Sequence, residues 1–144
     1  MTRKTTKRSQ PYPTLTQLGS GHKDYPNRPS QTILEVFPNP SPGRSYSILF
    51  SCAEFTSVCP VTGQPDFGQI DIRYTPGASC VESKSLKLYL GSFRNQGAFA
   101  EAIVNRILHD LVLALKPVKL EVTGVFTPRG GIGIEVTASY PDPA

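Results

Sequence analysis

The sequence predicts an α+β protein: a four-stranded antiparallel sheet covered on one face by two helices, in the order strand, strand, helix, helix, strand, strand. Three observations carry that expectation. Apolar residues alternate between residues 46 and 74, switch to helical spacing over 82–116, and alternate again from 118 to 140. A strand that buries one face alternates apolar and polar positions, whereas a helix repeats its apolar positions every three to four residues. Two helices are enough to cover one face of such a sheet.

Each element can be justified in turn. Residues 1–30 are polar and Pro-rich with little periodicity, and read as an arm that stays disordered or wraps a neighbour. The domain occupies 31–144. QTILEVF (31–37) is short and β-rich and reads as a strand. In SYSILFSCAEF, Tyr46, Ile48, Phe50 and Cys52 share one face, which makes Cys52 a core cysteine. In GQIDIRY, Ile70, Ile72 and Tyr74 face one way, and Gln69, Asp71 and Arg73 the other. Leu86, Leu90 and Phe93 form one side of a first helix. Phe99, Ile103, Ile107, Leu108, Leu111 and Leu115 form the stripe of a second, opposite the polar line Glu101, Asn105 and His109, and Pro117 stops it. Val118, Leu120, Val122 and Phe126 mark the next strand, and Ile132, Ile134, Val136, Ala138 and Tyr140 the last, with the turn TPRGGIG between. The exposed sheet edges need protection, and joining subunits edge to edge into a closed barrel supplies it, so an oligomer is expected.

Composition narrows the function. The chain has 144 residues and a formal charge of +4, of which Arg3, Lys4, Lys7 and Arg8 supply four. The remainder balances, with 15 − 4 = 11 basic and 11 acidic side chains. A neutral body argues against a phosphate-tracking surface, so nucleic acid is not an expected partner. No run approaches the ~18 apolar residues of a membrane span. No apolar segment follows the N-terminal charges, so no secretory signal is read. Three cysteines without an export signal point to reduced thiols and a cytoplasmic setting.

The chemistry centres on FTSVCPVTGQPDF. Cys59 stands in a turn-rich loop with Asp66 seven residues on. A thiol attacks as its thiolate, and an adjacent carboxyl can deliver a proton to the atom that gains charge; such a pair titrates as a unit. The spacing alone equally fits a loop cysteine followed by an Asx-turn former. Lys84 and Lys87, at i and i+3, suit a phosphate or form an ordinary solvated face. Arg129 beside Gly130 and Gly131 offers a guanidinium next to backbone that a diphosphate can approach, or marks a plain hairpin turn. Glu82 and Glu101 lie near helix starts, where an acid is favoured anyway; a carboxylate there can also accept two hydrogen bonds from a guanine-like edge. Phe99 can stack on such a base or belong to the core. Neither a Rossmann nor a P-loop motif is encoded.

Taken together, FTSVCPVTGQPDF, then ESKSLKLYLGSFRNQGAF with Glu101, then FTPRGG resemble the 7-cyano-7-deazaguanine reductases, the nitrile reductases of queuosine biosynthesis, in their short single-domain form. The resemblance covers residues 30–140. It implies a tunnelling fold assembled as pentameric rings stacked into a decamer, with active sites between subunits. It implies that Cys59 forms a covalent thioimide with the nitrile, that Asp66 is the proton donor, and that NADPH supplies two hydrides to give the primary amine. It implies that Val81, Glu82, Ser83, Phe99 and Glu101 hold the deazaguanine, and that Lys84 and Lys87, helped by Arg129 and Gly130, take the cofactor. No metal is implied. One position departs: the family pattern reads Phe-His-Glu where this chain has Phe99, Ala100 and Glu101, so reductive turnover is expected to suffer. Two other readings compete. A zinc hydrolase of the GTP-cyclohydrolase kind would need ligands from Cys59, Cys80, His22 or His109, yet no C-x-x-C or H-x-x-x-H spacing exists. A non-catalytic tRNA-binding module would rest on the basic tail alone.

Overall fold

In the computed structural model, residues 12, 14–21 and 24–143 are described. The strands are β1 (Val36–Pro38), β2 (Ile48–Val58), β3 (Pro65–Thr75), β4 (Ser79–Val81), β5 (Lys119–Arg129) and β6 (Ile132–Tyr140). The helices α1 (Ser83–Gly91) and α2 (Ala100–Leu115) come between β4 and β5. The main sheet is antiparallel and four-stranded, in the order β2-β3-β5-β6. β1 and β4 make a separate two-stranded ribbon.

That ribbon is where the structure departs from the sequence expectation. QTILEVF does not form one strand. Ser30 caps a short 3-10 turn at Gln31–Ile33 by accepting from the Thr32 N–H, and only Val36–Pro38 is extended. The Ser30 hydroxyl offers the backbone a turn that competes with strand pairing. β4, too short to show a period, pairs with β1 in the register Phe37↔Cys80.

The core lies between the sheet and the helices. Ile70, Ile72 and Tyr74 of β3 and Leu120, Val122 and Phe126 of β5 are buried against Ile103, Val104, Ile107 and Leu111 of α2. α1 adds Leu86, Tyr89 and Leu90, and the segment after it adds Phe93. The close approach of α2 requires Gly124: a Cβ there would lie 2.7 Å from Val104 Cγ2 and 2.8 Å from the Phe126 ring. A buried polar link joins the helices. Tyr89 donates to Asp110 at 2.8 Å, and Arg106 Nε donates to the same oxygen at 2.7 Å.

Some positions assigned from periodicity fall outside their stripes. Phe99 precedes α2 with extended backbone and is exposed, and Val118 precedes β5 and is exposed. α2 ends where expected, with Lys116 in the left-handed region just before Pro117. Leu15 of the arm is buried, and the arm's backbone is held by side chains of the domain. The Thr16 N–H donates to Glu35, while the Pro26, Asn27 and Pro29 carbonyls accept from Arg94, Gln96 and Arg106. The basic tail at residues 3–8 lies outside the described residues.

Candidate active site

Two bulges aim the residues of the site. β2 pairs with β3 as Cys52↔Ile70 and then Phe55↔Gly68, so β2 carries one extra residue between. A bulge exchanges the faces of the strand beyond it. Ile48, Phe50 and Cys52 are the partly buried set before it, and Phe55 and Ser57 are the buried set after it. Cys59 continues that second set. β5 has a similar slip between Phe126 and Arg129, ahead of a two-residue turn at Gly130 and Gly131. Both glycines have positive φ (58° and 77°), which the hairpin turn demands and other side chains rarely adopt. Through these offsets Cys59, Asp66 and Arg129 share one region.

The loop from Cys59 to Gln64 is closed by Cys59 N–H donating to Gln64 O at 2.8 Å and Gly63 N–H donating to Cys59 O at 2.9 Å. The turn points donors at the sulfur. Hydrogen bonds from the Thr62 hydroxyl first, then from the Thr62 and Val61 N–H groups, lower the Cys59 pKa from 9.0 to about 7. Desolvation opposes this, and the Arg129 charge adds the smallest of the lowering effects. Cys52, by contrast, is half-buried and its pKa is raised by burial, which leaves it a poor nucleophile.

Asp66 opens β3 opposite Ser57. Its Oδ1 lies 2.5 Å from Arg129 Nη2, which also donates to Pro65 O at 2.8 Å. The α1–α2 connection completes the local wall. Val58 N–H donates to Gln96 O, Ala98 N–H donates to Val58 O, and Gly97 bridges to Val58. That connection leads straight into Phe99, Ala100 and Glu101. Phe99 and Glu101 are exposed, and Ala100 is the first residue of α2.

The remaining predicted residues lie elsewhere in the same chain. Val81 N–H donates to the hydroxyl of Tyr74, whose backbone pairs with Ile48 at the far end of β2 from Cys59. Glu82 is buried, and its two oxygens cap α1 by accepting from the Lys84 and Ser85 N–H groups at 2.7 and 2.8 Å. Ser83 and Lys87 are exposed on the outer side of α1, and Lys84 Nζ donates to Ser20 Oγ. Ser83, Lys87 and Arg94 line a groove of about 640 Å³ between α1 and the β2 edge, with the Tyr25 ring at its rim. The groove does not reach Cys59, so a single chain does not unite the α1 residues with the thiol.

Sequence reasoning missed Thr62 and Ser57. Thr62 was visible only as a hydroxyl in a tight turn after Cys59, without the knowledge that the turn folds back on the sulfur. Ser57 is 1% exposed, and its hydroxyl has no hydrogen-bond partner among the described residues. Cys80 is buried on β4, with Tyr46 Oη 3.7 Å from its sulfur, and His22 lies outside the described residues. Among the described residues no three potential metal ligands come together. No helix among the described residues is long and apolar enough to cross a membrane.

Comparison with known proteins identifies the family. A family model described as QueF-like protein matches residues 65–144. An NADPH-dependent 7-cyano-7-deazaguanine reductase of Anaeromyxobacter sp. (strain K) is 58% identical over 115 residues, covering 80% of this chain and 93% of its own. Proteins of the same name from Bacteroides fragilis and from Neisseria meningitidis serogroup B are 57% and 52% identical, covering 77% and 88% of this chain and 74% and 80% of their own. The crystal structure of an archaeosine synthase QueF-Like in the apo form superposes with a TM-score of 0.64 at 20% identity, covering 68% of this chain and 96% of that one. At that identity the likeness speaks for the fold.

Proposed function

The chain belongs to the QueF-like family, and from that membership we propose that it is an NADPH-dependent oxidoreductase acting on 7-cyano-7-deazaguanine. Its α+β architecture is the tunnelling fold. The reaction takes the nitrile to the aminomethyl group of 7-aminomethyl-7-deazaguanine, a step of queuosine biosynthesis. The observation that carries the proposal is the Cys59 loop: a turn that points hydrogen-bond donors at the thiol and lowers its pKa to about 7, with Asp66 on the neighbouring strand opposite Ser57.

Cys59 adds to the nitrile carbon, and Asp66 passes a proton to the nitrogen, giving a thioimide. A nitrile accepts hydride poorly, whereas a protonated thioimide accepts it well, so the covalent step divides a difficult reduction. When bound, NADPH supplies the hydrides, two for each nitrile taken to the amine. Lys84 and Lys87 of α1 suit its phosphates: Lys87 is exposed and lines the open groove, and the half-buried Lys84 reaches Ser20. Arg129 and Gly130 would be helpers, although the guanidinium is already engaged with Asp66.

The exposed Glu101 carboxylate, in the first turn of α2, fits the guanine-like edge, and the exposed Phe99 ring can stack on the base. Glu82 already caps its own helix, so a role for Val81, Glu82 and Ser83 in holding the base asks for a second copy whose α1 start meets the Cys59 loop. The edges allow this. β2 and β6 border the sheet, and β6 exposes Ile132 and Ile134. Pairing of β6 with β2 of the next copy would close pentameric rings, stacked as a decamer. Three free cysteines fit a reducing, cytoplasmic setting.

The test uses the purified protein and 7-cyano-7-deazaguanine without NADPH. A thioimide absorbance band and a matching mass increase are expected, and Cys59→Ala abolishes both. Absence of the adduct, in the unchanged chain and in Ala100→His alike, overturns the reading. With NADPH added, Ala100→His is expected to raise turnover by about 100-fold, the scale of one restored acid–base group. Equal turnover would show that a side chain at position 100 contributes nothing to the reduction.

A further inference from the structure

Arg129 is the residue whose observed contacts fit its expected role least well. A phosphate ligand waits with its guanidinium open to solvent. Here Nη2 is spent on the nucleophile's own loop: it lies 2.5 Å from Asp66 Oδ1 and donates to Pro65 O at 2.8 Å and Gln64 O at 3.4 Å. Gln64 O also accepts the Cys59 N–H, so one guanidinium braces both ends of the Cys59 loop. The β5 slip between Phe126 and Arg129 is what turns the side chain toward β3.

We propose that Arg129 is a positioning residue of the addition step, holding the Asp66 side chain and the Cys59 loop in the geometry in which the thiol proton passes by way of Asp66 to the nitrile nitrogen. This rests on the nitrile-reductase reading above and deepens it. The step balances within the site. The S–H bond and one C–N π bond break, a C–S bond and an N–H bond form, and no outside proton or electron enters. Asp66 ends as it began, and its ion pair with Arg129 survives the step. The same positive charge also favours the Cys59 thiolate, so Arg129 serves both partners of the shuttle.

Few other charges compete there. The α1–α2 connection brings Arg94, but that guanidinium is turned to Pro26 O and Gly91 O and stacks on Tyr25. α2 brings Glu101, which is exposed.

The experiment compares Arg129→Gln and Arg129→Lys with the unchanged chain, at a series of pH values. Thioimide formation is followed without NADPH, NADPH binding is titrated separately, and Cys59 alkylation by iodoacetamide is read by peptide mass. For Arg129→Gln, thioimide formation at pH 7 is expected to slow by about tenfold or more, with the acid limb of its profile moved upward. NADPH affinity is expected to stay within about threefold, the effect of one exposed charge pair. Arg129→Lys, which keeps the charge, is expected to restore most of the rate. Unchanged thioimide formation with lost NADPH affinity would make Arg129 a phosphate ligand and overturn the inference. If the unchanged chain forms no adduct, the nitrile-reductase reading fails first. The alkylation profile still judges Arg129, because an unmoved Cys59 profile in both variants refutes its hold on the thiol.

Discussion

Thr62→Val removes the largest contribution to the low Cys59 pKa while keeping the shape of the turn. At pH 7 a thiol of pKa about 7 is about half ionised, whereas one at the ordinary 9.0 is about 1% ionised. Losing one hydrogen bond of several is expected to raise the apparent pKa by about one unit. At pH 6 that lowers the thiolate fraction about ninefold, but a more basic thiolate is intrinsically about threefold more nucleophilic. The net expectation is alkylation by iodoacetamide about threefold slower at pH 6 and about threefold faster at pH 9.5, where both thiols are fully ionised. The two pH profiles therefore cross. Parallel profiles, or an unchanged-chain profile with its midpoint near 9.0, would refute the claim that the turn activates the thiol. The same low pKa links to stability. The folded state holds fewer protons than the unfolded chain between pH 7 and 9.0, so this contribution is present above 9.0 and is lost as the pH falls through about 7.

Two further expectations concern buried polar groups. Asp110→Ala strands the buried Tyr89 hydroxyl and frees Arg106, and is expected to cost about 3 kcal/mol in urea unfolding, with Tyr89→Phe costing about half as much because Arg106 still pairs with Asp110. Equal losses for the two variants would show that the Arg106 contact contributes nothing. Ser57→Ala deletes a buried hydroxyl without a partner and is expected to leave stability unchanged or raise it by about 1 kcal/mol, again by urea unfolding. A loss of more than about 1 kcal/mol would mean that the hydroxyl has a partner in solution.

What the sequence determined by itself is the part of the molecule written in periods and local chemistry. Ile70, Ile72 and Tyr74 are buried where alternation put them, and Ile103, Ile107, Leu111 and Leu115 where helical spacing did, because each pattern is a property of one element facing one core. Pro117 and the Gly130–Gly131 turn were legible for the same reason: their backbone demands are local. Periodicity failed at Phe99, which sits just outside its helix, and at QTILEVF, where the Ser30 hydroxyl competes with strand pairing. Cys59 and Asp66 stood out in the sequence as candidates, but the surroundings of each did not. Those depend on a bulge in β2 and another in β5, each adding one residue without a mark in the alternation, and on a turn that folds Thr62 onto the sulfur. The tertiary structure alone decided that Arg129, 63 residues after Asp66, reaches back to pair with it, because electrostatic contact depends on distance in space and sequence separation is silent about that.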